Sequence, residues 1–180
     1  MTEPTGPVTL RDLKWDDFDA LVEAYFLLYD ERTTNPEVGI TLFATRPTIE
    51  DEVKWFADLF RRVVDGVAVC VIAEVGGRAV GSCTVRQCGG GAASEGAHLG
   101  ELGLLVHRDH RGRGIGEALM RDAIRRCRGR FEAIRLAVFA TNGPAKALYR
   151  KLGFETYGVE PKAVKRGKLY FDVEWMRLPL

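Results

Sequence analysis

The sequence predicts one mixed α/β domain, of the α+β kind, in which helices flank a central, mixed and mostly antiparallel sheet. Three observations predict it. Two β-rich runs, VAVCVIAEV and AVGSCTVRQC, meet at Gly76-Gly77-Arg78, a hairpin signal. The strand AHLGELGLLV, a helix after the turn at residues 111–116, and the strand FEAIRLAVF stand in an order that requires a parallel crossover. In the tail, Leu169, Phe171, Val173 and Trp175 alternate with Tyr170, Asp172 and Glu174, as in a half-buried strand. With 180 residues, 46% of them apolar, the chain can bury one core, and residues 1–180 are expected to form a single domain.

The elements follow in order. PVTLRDL reads as a short strand, followed by a helix from about Trp15 to Tyr29 with Asp16 or Asp17 placed to cap it. ERTTNPEVGITLFATRPT carries turn formers and no sustained period, so it is a long loop. Pro47 and Thr48 introduce a second helix with Val53, Phe56, Leu59, Phe60 and Val63 on its apolar face. After the hairpin, GGGAASEG is a glycine-rich connection. The helix following the turn carries Gly116, Leu119, Met120, Ala123, Ile124 and Cys127 as one stripe, which places its start close to Gly114. TNGPAKALYRKLGF opens a fourth helix, and the tail forms two strands about a turn at residues 165–168.

Charge and composition narrow the function. Basic and acidic residues number 26 and 25, so the net charge of +1 offers no general attraction to nucleic acid or to a membrane surface. No apolar run is long enough to span a bilayer, and MTEPTGPVTLRDLKWDD lacks the basic and apolar regions of a signal peptide, so a cytoplasmic location is expected. Cys70, Cys83, Cys88 and Cys127 form no C-x-x-C pair and read as small hydrophobes or core thiols rather than metal ligands or an acyl-carrying nucleophile.

The turn HRDHRGRGIGEALM concentrates arginine and glycine just before a helix. A helix start offers N–H groups without intrahelical partners and the positive end of the dipole, and Gly112, Gly114 and Gly116 carry no side chains to hold a large anion away. The turn is not a P-loop, because no Gly-Lys-Ser or Gly-Lys-Thr follows the glycines. Nor is it a dinucleotide fingerprint, because the glycines are evenly spaced. What remains suits a pyrophosphate.

Arg111-Gly112-Arg113-Gly114-Ile115-Gly116 resembles the R/Q-x-x-G-x-G/A signature of the GCN5-related N-acetyltransferases (GNAT). Asn142, Ala145, Leu148, Tyr149, Gly153 and Phe154 are similar to the family's second segment, N-x-x-A-x-x-L-Y-x-x-x-G-F, one crossover strand later. His107 and His110 depart from the common pattern, which has proline and an aromatic there. The resemblance implies a GNAT-like fold whose two central parallel strands splay apart at a bulge. It implies acetyl-CoA as cosubstrate, held by the turn at 111–116, by the backbone of Leu104, Leu105 and Val106, and by Asn142, Ala145 and Tyr149. It further implies transfer of an acetyl group to a primary amine of a small molecule, or of a peptide or protein N-terminus or lysine.

Such transfer needs a group to take the proton of an ammonium whose pKa lies near 10.4 and another to meet the departing thiolate. Glu101, among Leu99, Leu102 and Leu104, is the candidate base if isolated by burial, or else a rim carboxylate paired with an arginine; His98 and His107 bracket the same strand as rivals. Tyr149 is the candidate acid, or a core aromatic, and Asn142 caps its helix or touches the cofactor arm. With no suitable cysteine, a ternary complex with direct attack is expected. Other readings are a CoA-binding sensor without turnover, and an RNA- or protein-binding module using RRCRGRFEAIR, where overall charge and exposed aromatics disfavour nucleic acid. The loop after the first helix and the final hairpin, with Glu37, Glu160, Asp172, Tyr157 and Tyr170, are expected to line the acceptor's entrance, and homodimerisation stays open.

Overall fold

The computed structural model describes residues 6–40, 43–89 and 94–180. Residues 41–42 of the long loop and 90–93 of the glycine-rich connection lie outside the described residues. The strands are β1 (Thr9–Asp12), β2 (Ala68–Val75), β3 (Arg78–Gln87), β4 (Leu99–Val106), β5 (Ala133–Phe139), β6 (Glu155–Arg166) and β7 (Leu169–Pro179). The helices are α1 (Phe18–Glu31), α2 (Ile49–Val64), α3 (Ile115–Cys127) and α4 (Gly143–Lys151). One seven-stranded sheet has the order β1-β2-β3-β4-β5-β7-β6, antiparallel throughout except between β4 and β5. This is the mixed, mostly antiparallel sheet that the hairpin and crossover signals predict.

Alternation along the strands sends apolar side chains to both faces. Val69, Val71 and Ala73 of β2 join Ile134, Leu136 and Val138 of β5 against Leu119, Met120 and Ala123 of α3, with Ala145, Leu148 and Tyr149 of α4 packed at the edge of that core. On the opposite face, Cys70 and Ile72 of β2 meet Leu21 of α1 and Phe56 and Leu59 of α2. Two residues depart from the expected pattern. The side chain of Asp17 does not cap α1 but is buried, accepting from Arg11 at 2.7 and 2.8 Å and from the Lys14 N–H at 2.8 Å. In α2 the buried stripe runs through Glu52, Phe56 and Leu59, and Val53 is exposed, because the helix is turned one residue from the purely apolar reading. Thr48 caps α2 as expected, accepting from the Asp51 N–H while the Asp51 carboxylate accepts from the Thr48 N–H.

The crossover places the functional elements. β4 pairs with β3 in unbroken register from Gly81↔Val106 to Gln87↔Gly100, but with β5 only at Leu99↔Ala133, Gly100↔Ile134 and Glu101↔Arg135. β5 in turn pairs with β7 from Ala133 to Phe139 without interruption. Each strand is therefore held along its outer side, and the two separate beyond Glu101 and Arg135. The splay is present, but the bulge expected in β4 is not: twist accumulates once the shared ladder ends, and no extra residue is needed.

Candidate active site

The gap between β4 and β5 is lined by backbone. In an antiparallel ladder, successive residues point their N–H and C=O groups alternately to either side. The Leu99 carbonyl accepts from the Cys88 N–H and the His107 N–H donates to the Val80 carbonyl, so odd-numbered residues of β4 address the β3 side. Leu104 and Val106 consequently address the gap, whereas Leu105 addresses β3, which corrects its expected place among the free groups. The Val106 carbonyl accepts from Arg111 Nε at 3.1 Å.

The glycine turn closes one end of the gap. Gly112 and Gly114 have φ of 73° and 77°, a left-handed conformation that glycine adopts at little cost, and a Cβ at either would meet nothing within 4 Å. Gly114 is the N-cap residue of α3 and has no side chain to cap it, so the N–H groups of Ile115, Gly116 and Glu117 have no intrahelical acceptor. The Ile115 side chain is buried in the core. At Gly116, by contrast, a methyl group would lie 3.5 Å from Leu104, 3.7 Å from Leu148 and 3.9 Å from Val106, all ordinary contacts. The Arg113 side chain is exposed. The Arg111 guanidinium is drawn away from the turn, with Nη1 2.7 and 2.9 Å from the two carboxylate oxygens of Glu31 at the end of α1. Arg111 thus braces β4, the turn and α1 against one another. An open turn, unpaired helix N–H groups and a strand edge at Leu104 and Val106 together fit a phosphorylated, extended ligand.

The proton-handling candidates lie on opposite faces of the sheet. Tyr149, like Leu104, Val106 and Leu148, packs against the core on the α3/α4 face, its ring 6.1 Å from that of Phe154. Burial pushes its hydroxyl up to about 12, so it stays protonated at neutral pH. Glu101 points to the α1/α2 face and is not an isolated carboxylate: its Oε2 accepts from Arg135 Nη2 at 2.8 Å and Nε at 3.1 Å, and its side chain is 40% exposed. Of the two readings of Glu101, an isolated buried carboxylate or a rim carboxylate paired with an arginine, the structure has the second, because the parallel register sets it beside Arg135 at the apex of the splay. Sequence spacing carries no signal for that pairing. Asn142 caps α4, its Oδ1 accepting the Ala145 N–H at 3.1 Å. His98 is exposed, with Nδ1 3.0 Å from the Glu95 carbonyl, and His107 Nδ1 accepts from the Asp109 N–H at 3.4 Å.

Other candidates have simpler partners. Arg121 pairs with Glu117, and Arg125 and Arg126 both pair with Asp122, so the basic face of α3 is largely neutralised by its own carboxylates. Burial pushes the Cys70 thiol up to about 11 and that of Cys127 up to about 12, and raises Cys83 well above its ordinary value, which suits core thiols and not nucleophiles.

Comparison with known proteins bears on this site. The acetyltransferase (GNAT) family matches residues 12–154. Over 82 residues the chain is 37% identical to the L-amino acid N-acetyltransferase AaaT of Escherichia coli K12, covering 44% of this chain and 51% of that protein. Over 152 residues it is 34% identical to an uncharacterized N-acetyltransferase of Methanocaldococcus jannaschii, covering 82% and 60%. The chain therefore spans about half to three fifths of the length of these curated relatives. A GNAT superfamily phosphinothricin acetyltransferase from Sinorhizobium meliloti, solved in complex with acetyl-CoA, shares the fold at a TM-score of 0.78 and 24% identity, over 96% of this chain and 88% of that one.

Proposed function

The chain belongs to the acetyltransferase (GNAT) family, and we propose from that premise that it moves the acetyl group of acetyl-CoA to a primary amine of a small molecule or peptide by direct attack in a ternary complex. The observation that carries this reading is the opening between β4 and β5 beside an uncapped helix start with two left-handed glycines. Acetyl-CoA supplies the activated thioester. The backbone of Gly112 through Gly116 would hold its pyrophosphate, and the N–H groups of Leu104 and Val106 would pair with its arm and polarise a carbonyl oxygen.

The two faces of the sheet divide the proton chemistry. An amine approaching from the α1/α2 side meets Glu101, which we assign to proton acceptance, directly or through water, with Arg135 holding the carboxylate in place. On the other side, Tyr149 keeps its proton and is assigned to hydrogen-bond or protonate the departing sulfur. Cys70, Cys83 and Cys127 are buried, and desolvation raises the half-buried Cys88 thiol as well, which supports direct attack over an acyl-enzyme route. A cytoplasmic setting suits this chemistry, and no described helix is long and apolar enough to cross a membrane.

An acceptor screen by release of the CoA thiol, run beside thermal denaturation with acetyl-CoA, tests the reading. At a hundredfold excess over Kd, acetyl-CoA should add about 2.7 kcal/mol, roughly 5–10 °C for a chain of this size. Absence of any shift overturns it, and a shift without thiol release from any amine leaves a CoA-binding protein that does not turn over.

A further inference from the structure

Among the described residues, Arg32, just after α1, and Arg166, at the end of β6, have no carboxylate partner. Arg166 Nη1 donates to the carbonyls of Pro36 and, at 2.7 Å, Val38, and its Nη2 donates to the Gly39 carbonyl. Arg32 Nη1 donates to the Phe43 carbonyl at 3.0 Å and Nη2 to the Ala44 carbonyl at 3.2 Å. Each guanidinium lies 5.0 Å from an aromatic centroid, Arg166 over Phe139 and Arg32 over Tyr29. The nearby carboxylates are engaged elsewhere: Glu31 with Arg111, Glu37 with the Thr141 hydroxyl, and Asp172 with the Lys162 N–H. Both guanidinium groups hold carbonyls of the one loop that follows α1, and burial, with the charge of Arg32 after it, holds the Arg166 pKa below its ordinary value.

Two like charges brought together at a half-buried site are unfavourable unless an anion joins them. A guanidinium has five N–H donors; among the described residues carbonyls take three from Arg166 and two from Arg32, leaving two and three. Their place is informative. Phe139 ends β5 at the open end of the gap, on the face shared by Arg135 and Glu101, and Arg32 follows Glu31, which holds Arg111 of the glycine turn. Both arginines therefore stand over the side from which the amine is proposed to approach.

We propose that Arg32 and Arg166 together bind a carboxylate carried by the same small molecule as the reacting amine, so that the acceptor is an amino acid and not a polyamine. This rests on the acetyl-transfer reading and narrows its acceptor. The planar forks of two arginines match a carboxylate, whereas a polycationic amine would be repelled.

The experiment compares α-amino acids with their carboxamides and with the matching amines that lack the carboxyl carbon, by CoA-thiol release at saturating acetyl-CoA. It uses the wild-type chain, Arg166→Lys and Arg32→Gln, with thermal denaturation of each variant to confirm folding. In the wild type, kcat/KM for the amino acid should exceed that for its carboxamide about 10–100-fold, the scale of a charge-assisted hydrogen bond, and in each variant that ratio should fall about tenfold, toward one. Arginines that merely clasp the loop would lower acid and carboxamide alike and leave the ratio unchanged; that result overturns the proposal, as does equal use of the two by the wild type. Turnover of amines without preference for the carboxylate sinks this assignment while acetyl transfer stands. Failure of every amine to release thiol sinks both.

Discussion

Tyr149 and the glycines of the turn define the chemistry most narrowly. If Tyr149 meets the departing sulfur, Tyr149→Phe keeps the ring against Phe154 and removes only the hydroxyl. The kcat should then fall about a hundredfold, within the range for a positioned acid, with KM for acetyl-CoA changed by less than about threefold. An unchanged kcat removes Tyr149 from the mechanism. The turn glycines separate by conformation. Gly114→Ala puts a side chain at φ of 77° and should cost about 1–2 kcal/mol, with a higher KM for acetyl-CoA, while Gly116→Ala enters ordinary contacts and should be nearly neutral. Urea denaturation of the two variants measures the contrast, and equal stability would refute the left-handed turn. Both glycines are legible in the sequence as one motif; not legible there is that backbone conformation demands glycine at 114, whereas neither conformation nor packing demands it at 116.

β4 and β7 carry the next level of constraint. Gly100 lies under Phe131, and a Cβ there would stand 2.5 Å from Val85 Cγ1 and 3.2 Å from the Phe131 ring. Gly100→Ala should therefore destabilise by about 1–3 kcal/mol through overpacking, seen as a lower urea midpoint. On β7, Glu174 accepts from Lys146 at 3.0 Å, from Arg150 at 3.4 Å and from the Thr156 hydroxyl, tying α4 and β6 to the sheet behind Tyr149. Glu174→Ala leaves the Lys146 ammonium, 17% exposed, without its carboxylate and should cost about 3–5 kcal/mol; a loss below 1 kcal/mol would show that α4 is held by its apolar side alone. The alternation of the tail marked Glu174 as a residue of the exposed polar face, but it is buried on the face that carries Met176 into the core. That its face is covered by α4 became visible only when the strand was packed.

The whole molecule should respond to alkaline pH through its buried acids. Burial raises Cys70 to about 11, Cys127 to about 12 and Tyr149 to about 12, so the folded chain keeps protons that the unfolded chain releases at ordinary thiol and phenol values. Their contribution is complete below the unfolded values and is lost as pH rises from about 9 to 12. Urea midpoints under reducing conditions should be lower at pH 10.5 than at pH 8, and a higher midpoint at the alkaline pH would contradict the burial of these groups. By itself the sequence determined the mixed sheet, the helix that begins at the glycine turn, and the two motifs that name the family. These are local matters of periodicity, turn chemistry and spacing, written in neighbouring residues. Only the tertiary structure decided that the splay needs no bulge, that Leu105 turns to β3, that Glu101 is joined to Arg135, and that Arg32 and Arg166 both hold carbonyls of the loop after α1. Each of those depends on register or approach between segments 23 to 134 positions apart in sequence, and no local pattern records which distant residue will arrive.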